Sequence, residues 1–232
     1  MKARNIEAVI AANAEGRSVA LATELTSGAQ LFLDGNRIEG DLQLDEASVA
    51  ALREALRADR NITLDTAAGR VFVQVFSPPR RCFVIGAVHI AQPLVPMLMA
   101  ADYKPIVIDP RGSFATDARF PGVELSTEWP DEALERLKPD RLSAVVTLSH
   151  DPKIDDPALI AALRSECFYI GALGSRRTHA KRLERLAEIG FGENELSRIH
   201  APIGLNIGAV SQAEIAVSIL GEMTQVLRRG NA

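Results

Sequence analysis

From residue 80 onward the chain repeats one unit, a short apolar run, a turn and a helical segment, and this repetition constrains the fold more than any other feature. The runs at 82–85, 106–108, 142–148 and 167–170 are uninterrupted and rich in Val and Ile. That is the pattern of strands buried on both faces. Segments with helical patterning separate them, at 90–101, 130–137, 157–163 with Pro157 at the first helical position, and 178–188. A last helix opens at Ser211, where Glu214 completes a capping box before Ile215, Ile219, Met223 and Val226. Strands that alternate with helices pair in parallel through right-handed crossovers. The expected class is therefore α/β, a Rossmann-like doubly wound parallel sheet.

Residues 1–78 read differently. An Ala-rich amphipathic stretch precedes an alternating run at 18–23, and Leu31-Phe32-Leu33 turns through Asp34-Gly35-Asn36 as a hairpin would. Asp45 is placed to cap a helix carrying Val49, Leu52 and Leu56, and two further strands are expected at 62–65 and 70–76. This predicts a smaller N-terminal α+β domain over 1–78. Ser77-Pro78-Pro79 ends it, since paired prolines neither extend a strand ladder nor enter a helix interior, and the second domain covers 79–232. A chain of 232 residues, 47% of them hydrophobic, has enough apolar material for both cores.

Its net charge of −4 lacks the footprint of a nucleic-acid binder. No apolar run reaches the roughly 18 residues that span a bilayer. Cys82 and Cys167 are the only cysteines, which excludes a disulfide framework and a cysteine-rich zinc site. A cytoplasmic protein without nucleic-acid or membrane partners is expected.

Several segments carry candidate chemistry. Gly86-Ala87-Val88-His89-Ile90-Ala91 sits where a dinucleotide fingerprint belongs, but Val88 replaces its middle glycine and obstructs a pyrophosphate. Asp109 falls roughly 20 residues on, the place of a ribose-binding acid, with Arg111 close behind. That pair leaves a diol, a phosphate and a plain surface turn all open. His150 and Asp151 end a strand and could exchange protons or orient a ligand. Alternatively Asp155 or Asp156 caps the helix at Pro157, and His150 serves only the backbone. One His with carboxylates specifies no metal, and none is expected.

Gly171, Gly174, Ser175, Arg176 and Arg177 form a glycine turn entering a helix, which offers N–H groups, a favourable dipole and guanidinium forks to one anion. Gly204 and Gly208 precede the last helix, as a ligand approach or as a simple turn. Glu222 is read as solvent-exposed, and His179 and His200 as surface or structural residues without evident partners. No nucleophile–base pair stands out.

Seven ordered segments, Gly86 to Leu94, Val107 to Arg111, Arg119-Phe120-Pro121, Ser149-His150-Asp151, Tyr169 to His179, Ala201 to Leu205 and Glu214 to Ile219, together resemble the XdhC/CoxI family. Its members are accessory proteins of molybdenum hydroxylases. The resemblance implies a Rossmann-like C-terminal domain and an accessory role in binding the molybdenum cofactor (molybdopterin), assisting its sulfuration and delivering it. The implied partners are a hydroxylase of the xanthine dehydrogenase or CO dehydrogenase type, a cysteine desulfurase and a second copy of the chain. The phosphate of the cofactor would suit the 171–177 loop. The N-terminal part departs from the family, because its GSSPR-like and Gly-Gly-Cys-x-Glu segments are missing and neither cysteine replaces them. A NAD(P)-dependent oxidoreductase is the alternative reading of the Rossmann rhythm, and a non-catalytic adaptor is a third.

Overall fold

The computed structural model describes residues 2–229. They fall into two compact units, divided between Pro78 and Pro79.

The first unit comprises α1 (Ala3–Ala14), β1 (Val19–Glu24), β2 (Gln30–Asp34), β3 (Arg37–Gly40), α2 (Glu46–Arg57), β4 (Ile62–Thr66) and β5 (Gly69–Phe76). The strands form an antiparallel sheet in the order β3-β2-β1-β5-β4, with the β2–β3 hairpin turning at Gly35-Asn36. Alternation along β1 splits its side chains between two cores. Val19 and Leu21 join Val9 and Ala12 of α1, while Ala20 and Ala22 join Leu52 and Ala55 of α2. Asp45 caps α2 by accepting from the Ser48 N–H at 2.8 Å.

The second unit comprises β6 (Arg80–Ile85), α3 (Ala91–Ala100), β7 (Tyr103–Ile108), β8 (Glu124–Ser126), α4 (Pro130–Leu137), β9 (Ser143–Thr147), α5 (Pro152–Leu163), β10 (Tyr169–Ala172), α6 (Arg176–Glu188), α7 (Glu193–Leu196), β11 (Ile199–His200) and α8 (Gln212–Arg229). All neighbours in its sheet are parallel, in the order β11-β10-β9-β6-β7-β8. Counted from β6, this is the 3-2-1-4-5-6 order of a dinucleotide-binding sheet. Helices cover both faces. Val84, Val107 and Val146 pack with Leu94 and Leu98 of α3 and Ile219 and Met223 of α8. Phe83, Ile85 and Val145 face Leu134 of α4, Leu159 of α5 and Leu186 of α6 on the other side.

The principal strands and helices lie where the hydrophobic periodicity puts them. β8, β11 and α7 are additions, too short to leave a periodic signal. Two helix starts are corrected, and α6, expected over 178–188, begins at Arg176. The helix expected to start at Pro157 starts at Pro152, and its cap is Asp151, which accepts from the Lys153 N–H at 3.0 Å.

Candidate functional site

Strand order reverses between β6 and β9, and in such sheets ligands bind in the crevice beyond the strand ends at that point. Gly86 leaves β6 with φ +97°, and a Cβ there would lie 3.0 Å from the Ser149 backbone. Only glycine lets the two strand ends approach this closely.

The first turn is closed on itself. Asp109, fully buried, accepts from the Ala87 N–H at 2.8 Å, the Arg111 N–H at 3.0 Å, and Arg111 Nε and Nη2 at 2.9 and 2.8 Å. Burial pushes its carboxyl up, but these bonds outweigh that and hold it below the ordinary carboxylate range. Arg111 also lies over Phe114, and Arg119 Nη1 donates to the Ala87 and Phe114 carbonyls at 2.7 Å each. The amide and the acid that a dinucleotide site would turn toward pyrophosphate and ribose are thus spent on each other. Val88 packs against the core, and His89 is exposed. Asp109 and Arg111 thus form a clamp that holds the Gly86 turn, with Arg111 still partly exposed, which weakens the NAD(P) alternative.

At the end of β9, His150 is exposed and adopts a left-handed backbone with φ +63°. Its N–H donates to Asp155 at 3.1 Å, and Ser149 Oγ donates to the same carboxylate at 2.6 Å. Asp155 is buried and Asp156 pairs with Arg185 at 2.6 and 2.9 Å, so neither caps a helix. Asp151 is engaged by α5 as its cap, so the His150–Asp151 pair has one member already committed.

Ser175 caps α6 by accepting from the Thr178 N–H at 3.2 Å. Successive helical positions diverge by about 100°, so Arg176 and Arg177 line different clefts. Arg177 lines a cleft of about 260 Å³ with His150, Asp155, Asp156, Lys181, Arg182 and Arg185. Arg176 lines another, of about 390 Å³, with Leu173, Ile203, Gly204, Asn206 and Ile215. Gly171 and Gly174 shape the loop between them, and a Cβ on Gly171 would collide with Ile203.

Gly204, at φ +92°, donates its N–H to Glu222 at 2.8 Å, and Tyr169 donates its hydroxyl to the same carboxylate at 2.5 Å. His200 Nδ1 lies 3.5 Å from Glu222, and its ring stacks on Tyr169. Burial pushes Glu222 up, and the bonds from His200, Tyr169 and Gly204 bring it below its ordinary range. The expectations of a solvated Glu222 and an unpartnered His200 are both corrected: Glu222 is a largely buried anchor for the 201–205 segment, and His200 is one of its partners.

Sequence reasoning missed Arg182, which is 2% exposed in the wall of the Arg177 cleft. The only local signal is that Thr178, Arg182 and Arg185 recur at helical spacing. Among the described residues, no group of three or more His, Cys, Asp or Glu is placed to hold a metal ion.

The family profile of the XdhC Rossmann domain matches residues 82–223. The chain belongs to the XdhC family. It is 39% identical over 98 residues to the molybdenum cofactor insertion chaperone PaoD of Escherichia coli K12, covering 42% of this chain and 30% of that protein. It is 28% identical over 234 residues to a probable xanthine dehydrogenase subunit of Bacillus subtilis 168, covering 98% of this chain and 66% of that protein. The crystal structure of a xanthine dehydrogenase from Bacillus halodurans superposes with a TM-score of 0.73 at 23% identity, over 98% of this chain and 65% of that one, and establishes likeness of fold. This XdhC chain thus spans about two thirds or less of each of these proteins.

Both thiols of this XdhC chain are in the core, and burial pushes Cys82 and Cys167 above the ordinary thiol range. They are poor nucleophiles. No helix of the described residues is long and apolar enough to cross a membrane.

Proposed function

We propose that this protein is an accessory factor that binds the molybdenum cofactor, assists its sulfuration and delivers it to a molybdenum hydroxylase of the xanthine dehydrogenase or CO dehydrogenase type. The names of its relatives, a molybdenum cofactor insertion chaperone and a probable xanthine dehydrogenase subunit, support an accessory role. The observation that carries the reading is the pair of clefts flanking the β10–α6 loop. One is lined by Arg177, Lys181, Arg182 and Arg185 together with Asp155 and Asp156, and the other by Leu173, Ile203, Ile215 and the 204–209 segment.

This donor set suits molybdopterin, which joins a phosphate to a fused pterin ring system. Arg177 and Lys181 would meet the phosphate, while the apolar cleft and Arg176 would meet the ring. The bound cofactor supplies molybdenum redox chemistry to the client. This chain binds it, orients it and excludes water, tasks that need affinity rather than turnover. With Cys82 and Cys167 buried, the sulfur comes from another protein of cysteine desulfurase type, and this chain presents the cofactor to it.

Anaerobic purification from cells that make the cofactor tests the reading. Pterin and molybdenum bound in near-stoichiometric amount, and lost on replacing the clefts' arginines, are the expected result. Protein that carries neither overturns it.

A further inference from the structure

Arg182 is a buried charge that the chain itself leaves incomplete. Its Nη2 donates to the Leu173 carbonyl at 3.0 Å, yet Nε and Nη1 are buried without a hydrogen-bond partner. Unpaired buried donors are costly and call for an explanation. The neighbouring carboxylates do not supply one. Asp155 lies 3.9 Å from Nη2 and is occupied by Ser149 Oγ and the Ser149 and His150 N–H groups. Asp156 is held by both ends of the Arg185 fork. Burial disfavours the charge on both members of the pair, lowering the pKa of Arg182 and raising that of Asp155. The pair is short of compensation from its surroundings.

The cleft as a whole carries a net positive charge. Arg177, Lys181, Arg182 and Arg185 line it against Asp155 and Asp156, which leaves an excess of two positive charges with His150 neutral. It lies where the first turns of α5 and α6 begin, with their positive dipole ends toward the strand termini. A two-charge excess beside a buried guanidinium with unpaired N–H groups matches a dianion better than a singly charged carboxylate.

We propose that this cleft binds a phosphate group, with Arg182 as its buried anchor and Arg177 and Lys181 at its rim. This rests on the cofactor reading and deepens it by naming where a phosphate-bearing ligand places that group. The pocket would accept free phosphate or a phosphomonoester by the same contacts.

Calorimetric titration of the full chain with inorganic phosphate, and separately with AMP, tests it. Saturable binding of phosphate is expected, weakened about tenfold by Arg177→Ala, by Lys181→Ala and by Arg182→Gln. Equal affinity for the two probes would assign recognition to the phosphate alone, and tighter AMP binding would add ring contacts; both agree with the site. The rim side chains are exposed, so their variants decide the matter if Arg182→Gln does not fold. Absence of saturable binding up to about 10 mM, or binding that both rim variants leave unchanged, overturns the proposal. Cofactor that co-purifies with a protein unable to bind phosphate removes this site and spares the proposed function. Phosphate binding by a protein that never carries pterin or molybdenum does the reverse.

Discussion

Replacing Asp109 with Asn separates a structural clamp from a ribose-binding acid, because the two roles predict opposite results. The wild-type carboxylate takes four hydrogen bonds, two on each oxygen. An asparagine that keeps Oδ1 toward the Arg111 N–H and Nε must turn its NH2 toward Ala87 N–H and Arg111 Nη2, donor against donor. Ala87 is fully buried, so its stranded amide costs about 1–3 kcal/mol. Arg111 is 38% exposed, and water replaces part of its lost ion pair, which adds about 1 kcal/mol. The expected loss is about 2–4 kcal/mol, or roughly 10 °C in Tm for a unit of this size. Urea and thermal melts followed by circular dichroism measure it. The pH dependence supplies a second reading. The folded-state pKa of Asp109 is depressed, so its contribution is present above the unfolded value near 4 and fades as pH falls through the folded value. The gap between wild type and Asp109→Asn should therefore narrow in acid. A variant as stable as wild type that has lost a measurable NADH affinity would refute the clamp and restore the ribose-binding role.

Three further outcomes follow from the geometry. His150→Gly relieves a left-handed backbone at φ +63° and should leave the protein as stable or up to about 1 kcal/mol more stable in urea melts, whereas His150→Val should destabilise it. Glu222→Ala removes the acceptor shared by Tyr169 and the Gly204 N–H and should cost about 1–3 kcal/mol, with hydrogen exchange accelerated first in the 201–205 segment. Cys82 and Cys167 should resist thiol reagents in native buffer and react fully in denaturant; rapid native labelling would contradict their burial.

The alternation of Val- and Ile-rich runs with capped helices determined most of the fold by itself, because buried parallel strands and amphipathic helices each leave a local period. The diproline at 78–79 and the glycine at 86 were likewise readable, since each imposes a backbone that other residues resist. The site was legible only in outline. The sequence marks the glycine loop at 171–177 as special, but helical phase, which sends Arg176 and Arg177 into separate clefts, depends on where α6 begins. Asp109 looks like a ligand group until the fold brings the Ala87 N–H to it, and Glu222 looks solvated until Tyr169, His200 and Gly204 converge on it from three other segments. Arg182 is one of several helix arginines in the sequence; tertiary packing alone buries it beside Asp155 with two of its nitrogens unpaired. Period and backbone preference are properties of neighbours along the chain, whereas the charge left uncompensated in a cleft is a property of groups that only the folded structure places together.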